Sequence, residues 1–148
     1  MRVYLSLTPA DLAADAVMPR SAWAVTDSLM ASYGGDDWEQ EDYEAVAMMA
    51  AGQACLEYLD GVTPACRIVA AADCAEAVAF GPAAGQVSID GPVSLADVVS
   101  FHIDEEESWP IVAAAAAGED DEDALSETAL LWYDVSEIAL VRDILNAG

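Results

Sequence analysis

The feature that most constrains this chain is a recurring order: a short β-favouring run, then Asp, Ser or Thr, then a helical pattern. Arg2–Leu7 is followed by Thr8-Pro9-Ala10-Asp11, with Thr8 placed as an N-cap and Pro9 at the first helical position. Trp23–Thr26 leads into Asp27–Tyr33, which Gly34-Gly35 ends. Arg67–Ala71 leads through Asp73 into Cys74–Val78. Val98–Ile103 leads through Asp104 to an acidic helix start, and Leu130–Tyr133 leads through Asp134 to Glu137–Leu145. Gln86–Asp90, between Gly85 and Gly91-Pro92, reads as a further strand. This order predicts an α/β fold, with a mixed sheet of about five or six strands, some of them parallel, and helices packed on it. The same order also fits an α+β sandwich on an antiparallel sheet. The links are short throughout, so residues 1–148 read as one domain.

The longest helix is expected from about Glu41 to Asp60, opening on acids that suit the positive end of its dipole. Met48, Ala51, Cys55 and Tyr58 lie on one stripe, and Met49, Gly52, Leu56 and Leu59 on an adjoining one. The two stripes read as core, with an adaptable methionine-rich binding surface as the alternative. Gly52 disfavours a helix interior and is read as a mark of close packing against another backbone. A second helix is expected over Ile111–Ala117, stopped by Gly118. The run Glu119–Asp123 then places five like charges together, which reads as a solvated, mobile loop at about 118–124.

Charge narrows the function classes. The chain has 28 Asp and Glu against four Arg and no Lys, a formal net charge of −24. Most carboxylates therefore lack a cationic partner, and the surface potential is negative. Such a surface resists direct contact with nucleic acid or anionic lipid and favours basic partners. No segment approaches the ~20 apolar residues of a membrane span, and the N-terminal apolar run is too short for a signal-peptide core. Although 55% of the chain is hydrophobic, much of that is Ala, which buries little area per residue. Cys55, Cys66 and Cys74 show no C-x-x-C spacing, and His102 is the one histidine. They read as reduced thiols of a cytoplasmic protein, not as a zinc site.

Two chemistries emerge from these residues. Asp27, Asp73, Asp104 and Asp134 each stand where a strand hands over to a helix. On parallel strands they would gather at one sheet edge, where Mg²⁺ or Ca²⁺ finds oxygen ligands and His102 supplies a further ligand or a base. That arrangement would make a metal-dependent enzyme. Asp is equally a favoured N-cap, which explains the series with no cofactor at all. No nucleophile elbow or Walker loop is present.

The other chemistry is docking. Trp38, flanked by Asp36, Asp37 and Glu39, reads either as a helix-entry staple or as an exposed anchor for a basic surface. Together with Glu119, Asp120, Asp121, Glu122 and Asp123 it forms the expected contact set for a basic protein partner, with nucleic-acid mimicry as the sharper version. Trp132-Tyr133 is expected in the core. A small acidic cytoplasmic binding or regulatory protein, with no cofactor, is the leading expectation. Acidity serving solubility alone, as in a salt-adapted proteome, would give the same composition.

The series Met1-Arg-Val-Tyr-Leu5, Ala24-Val-Thr26, Asp42-Tyr-Glu44, Arg67–Asp73, Gly91-Pro-Val-Ser-Leu95, His102-Ile-Asp104, the acids near Asp120 and Leu130-Leu-Trp-Tyr133 also runs in a familiar order. It resembles a family of short acidic actinobacterial proteins catalogued as a domain of unknown function. The resemblance covers nearly the whole chain. It implies a bacterial cytoplasmic protein and carries over no functional residue.

Overall fold

Strand β1 (Arg2–Leu7) occupies the middle of the sheet because alternate residues on both of its faces are apolar: Val3, Leu5 and Leu7 on one, Tyr4 on the other. The computed structural model describes residues 1–14, 16–17, 21–74, 77–79, 81, 83–89, 91–119, 124–125 and 128–147. β1 pairs antiparallel with β3 (Ser21–Ala24) and with β4 (Ile68–Asp73). Beyond β4 lie β8 (Val98–Asp104) and the edge strand β9 (Leu130–Asp134). Beyond β3 lie β6 (Gln86–Ser88) and the two-residue edge strand β5 (Val78–Ala79). The order of this seven-stranded sheet is β5-β6-β3-β1-β4-β8-β9, and β2 (Ala16–Val17) pairs with β7 (Val93–Ser94) in a separate ladder.

The chain is a mixed α/β single domain with helices packed on a sheet, as the order of elements predicts. The expected parallel component is corrected: every described pairing is antiparallel. The helix expected over 74–78 also differs at its end, since Val78 opens β5; residues 75 and 76 lie outside the described residues. A parallel neighbour needs a crossover of about a dozen residues or more. The order strand–Asp–helix looks the same whether the chain returns to its own side of the sheet or crosses to the other end.

Helices α1 (Asp27–Ser32), α2 (Gln40–Cys55), α3 (Trp109–Ala116) and α4 (Ile138–Ala147) flank the sheet among the described residues. Leu29 of α1, Ala47, Ala51 and Cys55 of α2, and Val112 of α3 pack with Tyr4, Val69 and Ala71 on one face. Val141 and Leu145 of α4 pack with Leu5, Ile68, Phe101 and Ile103 on the other, joined by Leu12, Val17 and Val93. The alanines have a use here. Ala47 and Ala51 let α2 settle so close to β1 that Ser6 Oγ donates to the Ala51 carbonyl at 2.6 Å.

α2 ends at Cys55, and a 3-10 turn (Leu56–Tyr58) completes the expected long helix. Its entry is stapled: Trp38 precedes the cap residue Glu39 and packs on Tyr43, with ring centroids 5.2 Å apart. Thr8 begins a 3-10 turn (Pro9–Ala13), its backbone N–H donating to Asp11 Oδ2 at 2.8 Å. Within the acidic stretch Glu119 is exposed; Asp120, Asp121, Glu122 and Asp123 lie outside the described residues.

Candidate functional site

The antiparallel order decides where the strand-end acids go. β3, β4 and β9 finish at one end of the sheet and β8 finishes at the other, so Asp104 and His102 are separated from Asp27, Asp73 and Asp134. At about 4.8 Å per strand, β3 and β9 stand roughly 19 Å apart, so even the three acids at the shared end form no cluster. Among the described residues no group of three or more His, Cys, Asp or Glu is placed to hold a metal ion. The expected acid edge is therefore corrected, and each acid has a local role. Asp73 pairs with Arg2 at 2.7 Å, and that guanidinium holds its carboxyl below the usual range. Asp134 accepts from the Ser136 hydroxyl at 2.7 Å and backbone at 2.9 Å, which lowers its pKa in the same direction. Asp27 is the first residue of α1, whose cap is Thr26.

Asp104 is fully buried and bound to Arg67. Its carboxylate accepts from the Arg67 backbone N–H at 2.7 Å, from Nη2 at 2.7 Å and from Nε at 3.0 Å. Nη2 also donates to Thr128 Oγ1 at 2.7 Å, and Thr128 in turn donates to the Leu125 carbonyl at 2.6 Å. Buried charge is tolerable only when paired and hydrogen-bonded, and this pair has both. It ties the start of β4 to the end of β8 and to the chain entering β9.

His102 lies across from Trp132 and shares its face of β8 with Ser100, whose Oγ is 3.0 Å from Nε2. Burial pushes the imidazole pKa down. His102 lies on the face of β8 opposite Phe101, as alternation along a strand dictates. Cys66 is buried, and desolvation raises its thiol pKa to about 12; burial raises Cys55 as well. Thiolate chemistry is correspondingly suppressed at both.

Above the Arg67 pair opens a hollow of about 610 Å³ lined by Met48, Met49, Gly52 and Gln53 of α2, by Arg67, and by Leu125, Thr128 and Leu130. It opens between α2, which packs on β1, β3 and β4, and the residues Leu125, Thr128 and Leu130 that precede and open β9. Met49 is 72% exposed and Trp132, expected in the core, is 61% exposed. Of the two stripes that read as core, Ala51, Gly52, Cys55 and Leu59 are buried as expected, while Met48 and Met49 lie at the hollow. Gly52 meets no other backbone: a Cβ there would lie 3.6 Å from the Leu130 side chain. The spacing of the methionines was the one signal in the sequence. Nothing in it joined them to Leu130, about eighty residues away.

The sheet order, the acid surface and the hollow belong to a chain that matches one family over residues 1–141. It belongs to DUF6912, a family of unknown function. Comparison with curated proteins and with solved structures finds no match. No helix among the described residues is long and apolar enough to cross a membrane.

Proposed function

We propose that this DUF6912 chain is a small acidic binding protein that docks a basic protein partner, with the hollow beside α2 taking the partner's apolar side chains. The observation that carries the reading is the coincidence of a methionine-lined hollow, mainly apolar but with Gln53, Arg67 and Thr128 in its lining, with a net charge of −24. Methionine side chains adapt to irregular apolar partners, and a negative field draws a cationic partner in and orients it. A pure nucleic-acid mimic needs carboxylates alone, so Met48, Met49, Leu125 and Leu130 favour a protein segment with apolar anchors. Asp36, Asp37, Trp38 and Glu119 supply field and rim contacts in this reading, and no cofactor takes part. We place the protein in the cytoplasm, where its three unpaired cysteines stay reduced.

The test is affinity capture from nuclease-treated lysate at low and high salt, read by mass spectrometry. A basic protein held at low salt and released at high salt is expected, because exposed charges are screened over a Debye length of about 8–10 Å at moderate salt. Met49→Asp should lower the retained amount while leaving the melting temperature within about 2 °C, since substitutions at exposed positions cost little. No enriched basic protein at either salt overturns the reading.

A further inference from the structure

We infer that β9 is an open edge that pairs with an extended, basic segment of the partner, whose alternate apolar side chains lie along Leu130 and Trp132 toward the hollow. The inference rests on the basic-partner reading and specifies its geometry. Hydrogen-bond parity gives the edge its content. The Asp104 backbone N–H donates to the Arg67 carbonyl at 3.2 Å, so Asp104 and, by alternation, His102 direct their backbone groups to β4. Phe101 and Ile103 then face β9 and bond to their partners Tyr133 and Leu131. The backbone N–H and C=O of Leu130 and Trp132 are left on the outer edge, where β9 has no pairing strand among the described residues. Asp134 fits the same parity, since its N–H donates to Glu137 Oε1 at 3.1 Å, away from the ladder.

Natural edge strands are usually protected by Lys, Pro, a bulge or extreme shortness. The opposite edge, β5, is only two residues long. β9 is five residues long, pairs with β8 in unbroken register, and carries Leu130-Leu131-Trp132-Tyr133 with no Lys or Pro. Leu131 is 39% exposed on one face and Trp132 61% exposed on the other, two residues along from Leu130 at the hollow. An added strand would cover both.

Charge selects the occupant. Between Glu119 and Glu137 the sequence holds eight acidic residues and no basic one, so the sequence on both sides of this apolar strand is acidic. Lys or Arg flanking an apolar alternation complements it. A second copy of this chain would instead bring two charges of −24 edge to edge.

The test uses the whole chain and changes the ligand, so folding of a variant is not at issue. Two-dimensional amide NMR follows titration at low salt with an alternating Lys/Val octapeptide, with the same peptide N-methylated at alternate backbone amides, and with an alternating Lys/Ser octapeptide. The expected result is shifts at the Leu130 and Trp132 amides with the Lys/Val peptide, and binding about tenfold or more weaker after N-methylation on the edge-facing amides, as loss of one or two hydrogen bonds implies. The Lys/Ser peptide should bind more weakly as well. Salt-sensitive binding that N-methylation leaves unchanged overturns strand pairing while the basic-partner reading stands. No peptide binding alongside a positive lysate capture has the same meaning, and failure of both overturns both. A free chain that is already dimeric, with Leu130 and Trp132 amides protected from exchange, assigns the edge to self-pairing and overturns the inference.

Discussion

Removing the Asp104 carboxylate probes the fold where it is most heavily committed. In Asp104→Ala, the Arg67 guanidinium, only 10% exposed, loses the group that Nε and Nη2 donate to and keeps Thr128 alone. The Arg67 backbone N–H loses its acceptor at 2.7 Å as well. Breaking one side of a buried ion pair costs about 3–5 kcal/mol, because the remaining charge is left uncompensated. Against a domain stability of about 5–15 kcal/mol that is a large fraction, and at about 2–4 °C per kcal/mol it lowers Tm by roughly 6–20 °C. Deleting an acid also relieves repulsion in a chain of net charge −24, so the long-range effect opposes the local one. Urea unfolding at constant moderate salt, followed by circular dichroism, measures the sum. The double variant Arg67→Met, Asp104→Leu removes both charges and should recover most of the loss, since apolar replacement of a buried pair is often neutral or stabilising. A loss below about 1 kcal/mol in Asp104→Ala, or a double variant as unstable as the two single losses added, would refute this reasoning.

Other outcomes follow from single positions. Gly52→Ala should stabilise by about 0.5–1 kcal/mol in chemical unfolding, because the new methyl meets Leu130 and Val69 at ordinary contact distances and the helix gains propensity. Gly85→Ala should destabilise by about 1–3 kcal/mol: φ is +85°, and a Cβ would lie 2.5 Å from the Leu29 side chain and 3.1 Å from the Ala24 carbonyl oxygen. His102 has a folded-state pKa below its unfolded value of about 6.5, so the unfolded chain binds more protons in that window. Its contribution to stability is therefore complete above about pH 6.5 and is lost as pH falls through the lower folded pKa. Comparing the pH dependence of unfolding for wild type and His102→Gln isolates it, and equal slopes between neutral pH and the carboxylate range would contradict the assignment.

How much of this was legible in the sequence depended on the range of the interaction concerned. Local chemistry was readable: Thr8-Pro9 begins a helical turn, Trp38 staples the entry of α2, and Gly118 follows the last turn of α3. Alternation placed His102 on the face away from Phe101 and Ile103, because side chains in a strand alternate whatever its neighbours are. Composition alone set the field that any partner meets. Strand direction was not readable, because Asp serves a helix start equally well after a parallel or an antiparallel strand. That single unknown decided that Asp104 leaves the other acids and becomes the buried partner of Arg67. Met49 and Trp132 read as core for a related reason: an apolar residue at the right period is buried only if another element arrives to cover it. α2 packs on β1, β3 and β4 and leaves Met49 and Trp132 exposed, and β9 has no strand on its outer side among the described residues.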